Sequence, residues 1–562
     1  MAFSSRGCSM PNCYYLRPAL INWLFVILTI VSSCNADSSS STNQTVTVII
    51  NGGSTIAKVD ANFLCATLDW WPPEKCDYGT CSWGNASLLN LDLTNQLLQT
   101  AVRGLSPIML RLGGTLQDKL VYQLGNIQSP CLPFVKQSAL FGFSDGCLPM
   151  SRWDALNKFF QKTGVLIAFG LNALYGRETN TSQRWDSSNA RDFINYTASK
   201  GYPIQAWELG NELSGSGVGT SIPVSQYATD MKTLRAIVDT IYSGWGNKPL
   251  VVAPDGFFDA NWFQQLLQRT GSKVVDVLTF HIYNLGPGVS TDLVDKILNP
   301  SYLSQAAGTF QSTKQILQNS GPWAQAWVGE AGGAYNSGHH LVTDAFVFGF
   351  WYLDQLGTAA KYDTKVYCRQ SLIGGNYGLL DHTTFQPNPD YYSALLWKQL
   401  MGPDVLSASV NGTSYLRAYA HCSKGDSQSI TVLLLNLSNS TQYIVKISFS
   451  DVTLRGVNLN SNSQSSSKAA SAGAAGKMDK ATNTSANTQR LEYHLTAPKG
   501  NLNSQEVQLN GIILQINADG NLPVLKPATV DASELLIVAP TSIVFLQLPG
   551  ISLPACTQAA SS

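Results

Sequence analysis

Charge is what this 562-residue chain has least of: Asp, Glu, Lys and Arg make up 13% of it, where a folded domain usually carries about 25%. Its 36 basic and 36 acidic side chains cancel to a net charge of zero. A polyanion binder needs clustered Lys and Arg to neutralise phosphates, so nucleic acid is excluded as a partner. Hydrophobic residues hold at 44%, too many for a mainly disordered chain. Beyond the N-terminus no apolar run is long enough to span a bilayer. The ending LPACTQAASS lacks the hydrophobic tail of a lipid-anchor signal. No Gly-rich phosphate turn follows the first buried strand, which argues against an open doubly wound sheet. No histidine stands near Cys76 and Cys81 to complete a zinc site, so neither a metal nor a cofactor is expected.

What is present begins with a targeting segment over residues 1–36. Arg6 and Arg17 flank an n-region, Ala19 to Val31 is apolar, and Ala36 precedes Asp37. That is the layout of a cleaved secretory signal peptide; an uncleaved anchor wants about 20 apolar residues. Eight of the 11 cysteines lie beyond it, an even number suited to an oxidising compartment. Cys422 and Cys556 bracket the C-terminal region and are the expected pair. Sequons at Asn43, Asn85, Asn180, Asn195, Asn411, Asn436, Asn439 and Asn483 are expected glycosylation sites. The expected destination is extracellular, in a cell wall or matrix, with the vacuole or lysosome as the alternative. The chain is expected to be a monomer without a transmembrane span, its contact with membrane or wall at most peripheral.

From residue 61 to 402 buried-strand runs alternate with helical stretches. The runs are FLCATLD, IMLRLGG, VLIAFGLN, IQAWELGNE, PLVVAPDG, VVDVLTFHIYN, AQAWVGEAGG and KVYCRQSLIGGNY. Between them, segments such as MSRWDALNKFFQKTG and LVTDAFVFGFWYLDQLG space apolar residues by three and four, as amphipathic helices do. Eight strand–helix pairs predict an α/β fold, a (β/α)8 TIM barrel. From 403 to 562 short alternating runs predict an additional antiparallel β-sandwich, joined by an N-terminal strand within 37–60. A Ser/Ala/Asn-rich stretch, 458–489, is expected as a mobile loop of that sandwich.

Barrel active sites sit at the C-terminal ends of the strands. The fourth run puts Glu212 beside Asn211, and the seventh puts Glu330 at its rim. Glycosidic cleavage needs two carboxyl groups across one bond, about 5–5.5 Å apart in retaining enzymes. An ionised Glu330 raises the proton affinity of Glu212 and keeps it an acid for the first step. Glu208, inside the strand, reads as structural.

The stretches WELGNE and WVGEAGGAY, with Glu212 and Glu330 118 residues apart, resemble glycoside hydrolase family 79 of clan A, in its plant heparanase-like branch. RGLSPIMLRLGGT, FGLNAL, GNYGLLD and PDYYSALLWKQLMG extend the resemblance to most of the chain. The resemblance implies Glu212 as proton donor, Glu330 as nucleophile and Asn211 as a partner of the sugar 2-hydroxyl. It further implies that Tyr283 orients the nucleophile, that Asp69 and Thr115 reach sugar hydroxyls, and that Tyr377 binds a uronic carboxylate. Backbone amides following Tyr335, around Ser337, are implied as further donors to that carboxylate. Asn172 and His281 are expected to support the rim.

Two departures narrow the substrate. Asn336-Ser337 stands where the animal endoglycosidase is Gly-rich, and the Lys-rich clusters that grip sulfated polysaccharide are missing. Arg152, Lys158, Arg269 and Lys273 are the only cations in the corresponding segments. The expected activity is therefore retaining hydrolysis of terminal β-glucuronosyl linkages, on proteoglycan or arabinogalactan-type glycans or on aryl glucuronides. The alternatives are an endo-acting heparan-sulfate-type glucuronidase, another clan A glycosidase for a neutral sugar, and a non-catalytic carbohydrate-binding or structural wall protein.

Overall fold

The structure, a computed structural model, describes residues 42–127, 130–177, 181–215, 218–451, 489–517 and 519–559. The signal-peptide segment, the sequons Asn180 and Asn483, and the 458–489 stretch up to residue 488 lie outside them. No helix among the described residues is long and apolar enough to cross a membrane.

Eight parallel strands close into a barrel. In chain order they are Leu64–Asp69, Met109–Gly113, Leu166–Leu171, Ala206–Leu209, Leu250–Phe257, Val277–Ile282, Gln325–Ala331 and Thr364–Arg369. Closure pairs Tyr367 of the eighth strand with Leu64 of the first, and a Cys65–Cys368 disulfide staples the same seam. Their near-continuous apolar sequences follow from burial on both faces. Inside, Cys65, Met109, Ala168, Ala206, Val252, Val277, Trp327, Val366 and Cys368 form one packed cluster with a contribution from every strand. The barrel is thus plugged below, and ligands are left with its mouth.

The helix Phe348–Lys361 departs from the amphipathic reading of its sequence, because every residue from Phe348 to Ala360 is buried. It is wedged between barrel and sheet. A Cβ on Gly357 would stand 2.3 Å from the Tyr419 ring, and the Asp354 carboxylate takes Arg417 Nε at 2.7 Å. A helix covered on all sides has no polar face to keep.

Most of the remaining strands form an 11-stranded sheet, ten of them in one hydrogen-bonded path and Ala528–Asp531 paired beside it with Gln489–Thr496. The N-terminal strand Thr42–Lys58 lies within it, antiparallel to Met401–Asn411 and parallel to Thr441–Ser450. That parallel pair is a departure from a wholly antiparallel pattern, and it needs no hairpin because its strands are far apart in the chain. The Cys422–Cys556 disulfide ties this sheet to the C-terminal helix Pro554–Ala559. Cys76–Cys81 and Cys131–Cys147 are disulfides as well.

One sequon is corrected by the fold. Asn436 is fully buried, and its amide donates to the carbonyls of Thr441, Val538 and Ala539 at 2.8–3.2 Å. It has no face for a glycan. Asn43, Asn85, Asn195, Asn411 and Asn439 are exposed.

Candidate active site

Glu330 faces the barrel mouth from a break in its own strand. The ladders of the seventh strand shift register between Val328 and Ala331 on one side and between Val328 and Glu330 on the other, and such irregularities re-aim a side chain. Gly329 is required here: a Cβ on it would come within 1.7 Å of an Asp255 carboxylate oxygen. Glu212 sits three residues past the fourth strand in the left-handed region, φ 56°, a conformation a non-glycine residue holds at some cost. Its N–H donates to the Asp255 carbonyl at 2.8 Å, tying the acid loop to the end of the fifth strand.

Glu212, His281 and Glu330 are all buried and bring one side-chain atom each within 4.8 Å of one another. That spacing also suits a cation. Here the positive charge is already supplied, because Arg111 Nη1 donates to Glu330 Oε2 at 2.8 Å. The Tyr283 hydroxyl donates to Glu330 Oε1. Arg111 Nη2 reaches Glu208 Oε1 at 2.9 Å and Asn211 Oδ1 at 2.8 Å, and also pairs with Asp255. Glu208 is therefore structural, as its place inside the strand implied. No described residue accepts from the side-chain Nδ2 of Asn211, which stays free as a donor.

His281 stands between two carboxylates, Nδ1 at 2.8 Å from Glu212 Oε1 and Nε2 at 3.1 Å from Asp255 Oδ2. Burial works against its charged form, but Asp255 and then Glu330 hold the imidazole well above its ordinary pKa. Burial lifts Glu212 above the usual carboxylate range, helped by Glu330 and opposed by His281. His281 Nδ1 occupies Oε1, so Oε2 is the Glu212 oxygen that no described residue engages.

Asp69 ends the first strand, and burial, with Glu330 nearby, pushes it up to about 8. Its Oδ2 accepts from Gln370 Nε2 at 3.1 Å, while Oδ1 is buried without a partner. Gly114, at φ 87°, makes room for it, since a Cβ there would lie 2.7 Å from Oδ2. Thr115 follows, half-buried at the same rim. Asn172 folds its own loop instead, accepting from the N–H groups of Leu174 and Tyr175 and donating to the Leu120 carbonyl.

Tyr377 is buried on the loop after the eighth strand, its ring centroid 6.3 Å from that of Trp83 in an edge-on contact. Tyr335 is at the rim, 39% exposed. Asn336, Ser337 and Gly338 are left-handed in succession, at φ 57°, 67° and 68°. Their backbone N–H groups have no acceptor among the described residues. Ser337 Oγ accepts from Trp83 Nε1 at 2.9 Å and donates to Asp77, and Asn336 donates to the Tyr78 hydroxyl at 3.0 Å. Asp77 and Tyr78 belong to the turn closed by Cys76–Cys81, so this turn walls one end of the cleft.

Sequence reasoning missed Arg111, Asp255, Asp118 and Gln370. A lone Arg inside the apolar run IMLRLGG and the Asp ending PLVVAPDG were the available signals. Asp118, pushed up to about 7 by burial, accepts from the N–H groups of Ala173 and Asn211 and so aligns two strand ends. No sequence pattern marks it.

Residues 45–357 match the N-terminal domain of glycosyl hydrolase family 79. The chain is similar to heparanase-like protein 3 of Arabidopsis thaliana, 50% identical over 92% of this chain and 96% of that protein. It is 41% identical to baicalin-β-D-glucuronidase of Scutellaria baicalensis over 88% of this chain and 90% of that one. Its fold resembles the crystal structure of a 4-O-α-L-rhamnosyl-β-D-glucuronidase from Fusarium oxysporum, with a TM-score of 0.60 at 15% identity over 89% of this chain and all of the other.

Proposed function

The chain belongs to glycosyl hydrolase family 79 and is a glucuronidase-type glycoside hydrolase; we propose that it is a secreted, retaining enzyme that removes terminal β-glucuronic acid. The observation that carries the choice of sugar is the run of left-handed residues Asn336-Ser337-Gly338, whose backbone N–H groups have no acceptor among the described residues and so are available to a carboxylate. A uronic carboxylate lies there, with the Tyr377 hydroxyl as a further donor. Asn211 takes the 2-hydroxyl; Asp69 and Thr115 take the others.

Glu212 protonates the glycosidic oxygen as Glu330 attacks the anomeric carbon, breaking the bond to the aglycone and forming a glycosyl ester. Tyr283 and Arg111 hold the two Glu330 oxygens, so the attacking atom is aimed before substrate arrives. Glu212, now a carboxylate, takes a proton from water, which displaces Glu330 and restores both groups. The approach of the two carboxylates, one oxygen of each within 4.8 Å, supports the retaining mechanism, since an inverting enzyme holds them about 6.5–9.5 Å apart to admit a water.

The Cys76–Cys81 turn supports exo action, because its Asp77 and Tyr78 hydrogen-bond Ser337 and Asn336 at the carboxylate's end of the site. A sulfated polymer is disfavoured too, since Arg152 is spent on the carbonyls of Leu88 and Leu91. The test is kcat/KM on nitrophenyl β-D-glucuronide beside the matching glucoside, for wild type and Tyr377→Phe. The glucuronide should be preferred, and the preference should shrink in the variant. Equal turnover of both sugars would refute the carboxylate pocket.

A further inference from the structure

We propose that Phe257 is the platform on which the leaving group lies, and that it selects aglycones with a flat aromatic face. This rests on the glucuronidase reading above and extends it to the other half of the substrate. Phe257 is the last residue of the fifth barrel strand and pairs in register with His281. Its ring centroid lies 6.3 Å from that of His281 and 6.4 Å from that of Tyr283, both rings meeting it edge-on. Even so it is 41% exposed. Its neighbour Phe258 turns the other way and packs on Phe263 and Phe280.

Position decides what that exposed ring meets. The glycone is held from strands one, seven and eight, by Asp69, the Asn336–Gly338 run and Tyr377. The acid must stand at the glycosidic oxygen, so the leaving group extends on the side of Glu212. Phe257 is on that side: Asp255 holds the Glu212 backbone, and a Cβ on Gly256 would come within 3.3 Å of Glu212 Cα. A single exposed Phe elsewhere on a surface needs no explanation; this one touches two rings of the active site. The segment Gly256-Phe257-Phe258 carries no charge, so it offers an anionic sugar nothing and an aromatic ring a stacking partner.

The experiment compares wild type, Phe257→Ala and Phe257→Tyr on naphthyl β-D-glucuronide and methyl β-D-glucuronide. Loss of one stacked ring is worth up to about tenfold. The naphthyl-to-methyl ratio of kcat/KM should therefore fall about tenfold in the Ala variant, through KM rather than kcat, and return in the Tyr variant. An unchanged ratio would overturn the platform. Binding of free naphthol, followed by fluorescence, reads the same site without turnover and should weaken about tenfold in Phe257→Ala; equal binding by both proteins would overturn it. Failure of wild type to hydrolyse either glucuronide refutes the glucuronidase reading, and the naphthol measurement still decides the platform.

Discussion

Arg111 Nη1 lies 2.8 Å from Oε2 of Glu330, and the same guanidinium pairs with Glu208 and Asp255. One buried cation thus serves three buried carboxylates, so the placement of Glu330 and the stability of the barrel share a single residue. Arg111→Met leaves those charges without their common partner. Removing one side of a buried ion pair costs about 3–5 kcal/mol, and denaturant unfolding should show a loss of that size. A loss below about 1 kcal/mol would mean that the carboxylates are held by other contacts.

Glu212 as acid predicts a dependence on the leaving group. Glu212→Ala should lower turnover of methyl β-D-glucuronide by about 10²–10⁴-fold and that of an activated nitrophenyl glucuronide by less. Added azide should restore nitrophenyl turnover and yield the β-glycosyl azide. Equal losses on both substrates would place the acid elsewhere.

His281 is predicted to set the pH range over which Glu212 stays protonated. Burial raises Glu212, and the His281 cation opposes the rise. His281→Asn removes the cation and leaves Asp255, Glu330 and Arg111 as the charges facing the acid. Glu212 then holds its proton to higher pH, so the alkaline limb of kcat should move upward. A downward or absent shift would show that the imidazole is neutral in the working enzyme.

The Cys76–Cys81 turn is predicted to matter for substrate more than for folding. Its closed loop is short, which limits its stabilisation to about 2 kcal/mol. Replacing both cysteines with Ser should raise KM for a terminal glucuronide several-fold as Asp77 and Tyr78 lose their hold on Ser337 and Asn336. A large fall in Tm with unchanged KM would make the disulfide a purely structural staple.

Much of this molecule is legible in its sequence. The eight barrel strands stand where apolar runs were read, because a strand buried on both faces must be apolar along its length. That Glu212 and Glu330 meet at the barrel mouth was legible for the complementary reason, as carboxylates at the ends of such runs. The helix Phe348–Lys361 was misread because its sequence cannot say that a sheet will cover its outer face. Asn436 was misread because a sequon does not encode burial. The relay from Asp255 through His281 to Glu212 was out of reach, since three strands supply it and only closure of the barrel brings them together.

The most direct test of the account is the anomer first released from an aryl β-D-glucuronide, followed by proton NMR before mutarotation sets in. Double displacement through Glu330 predicts β-glucuronic acid as the first product, with no release by Glu330→Gln. The α-anomer appearing first would contradict the mechanism, because it would mean that water attacks directly and Glu330 never bonds to the sugar.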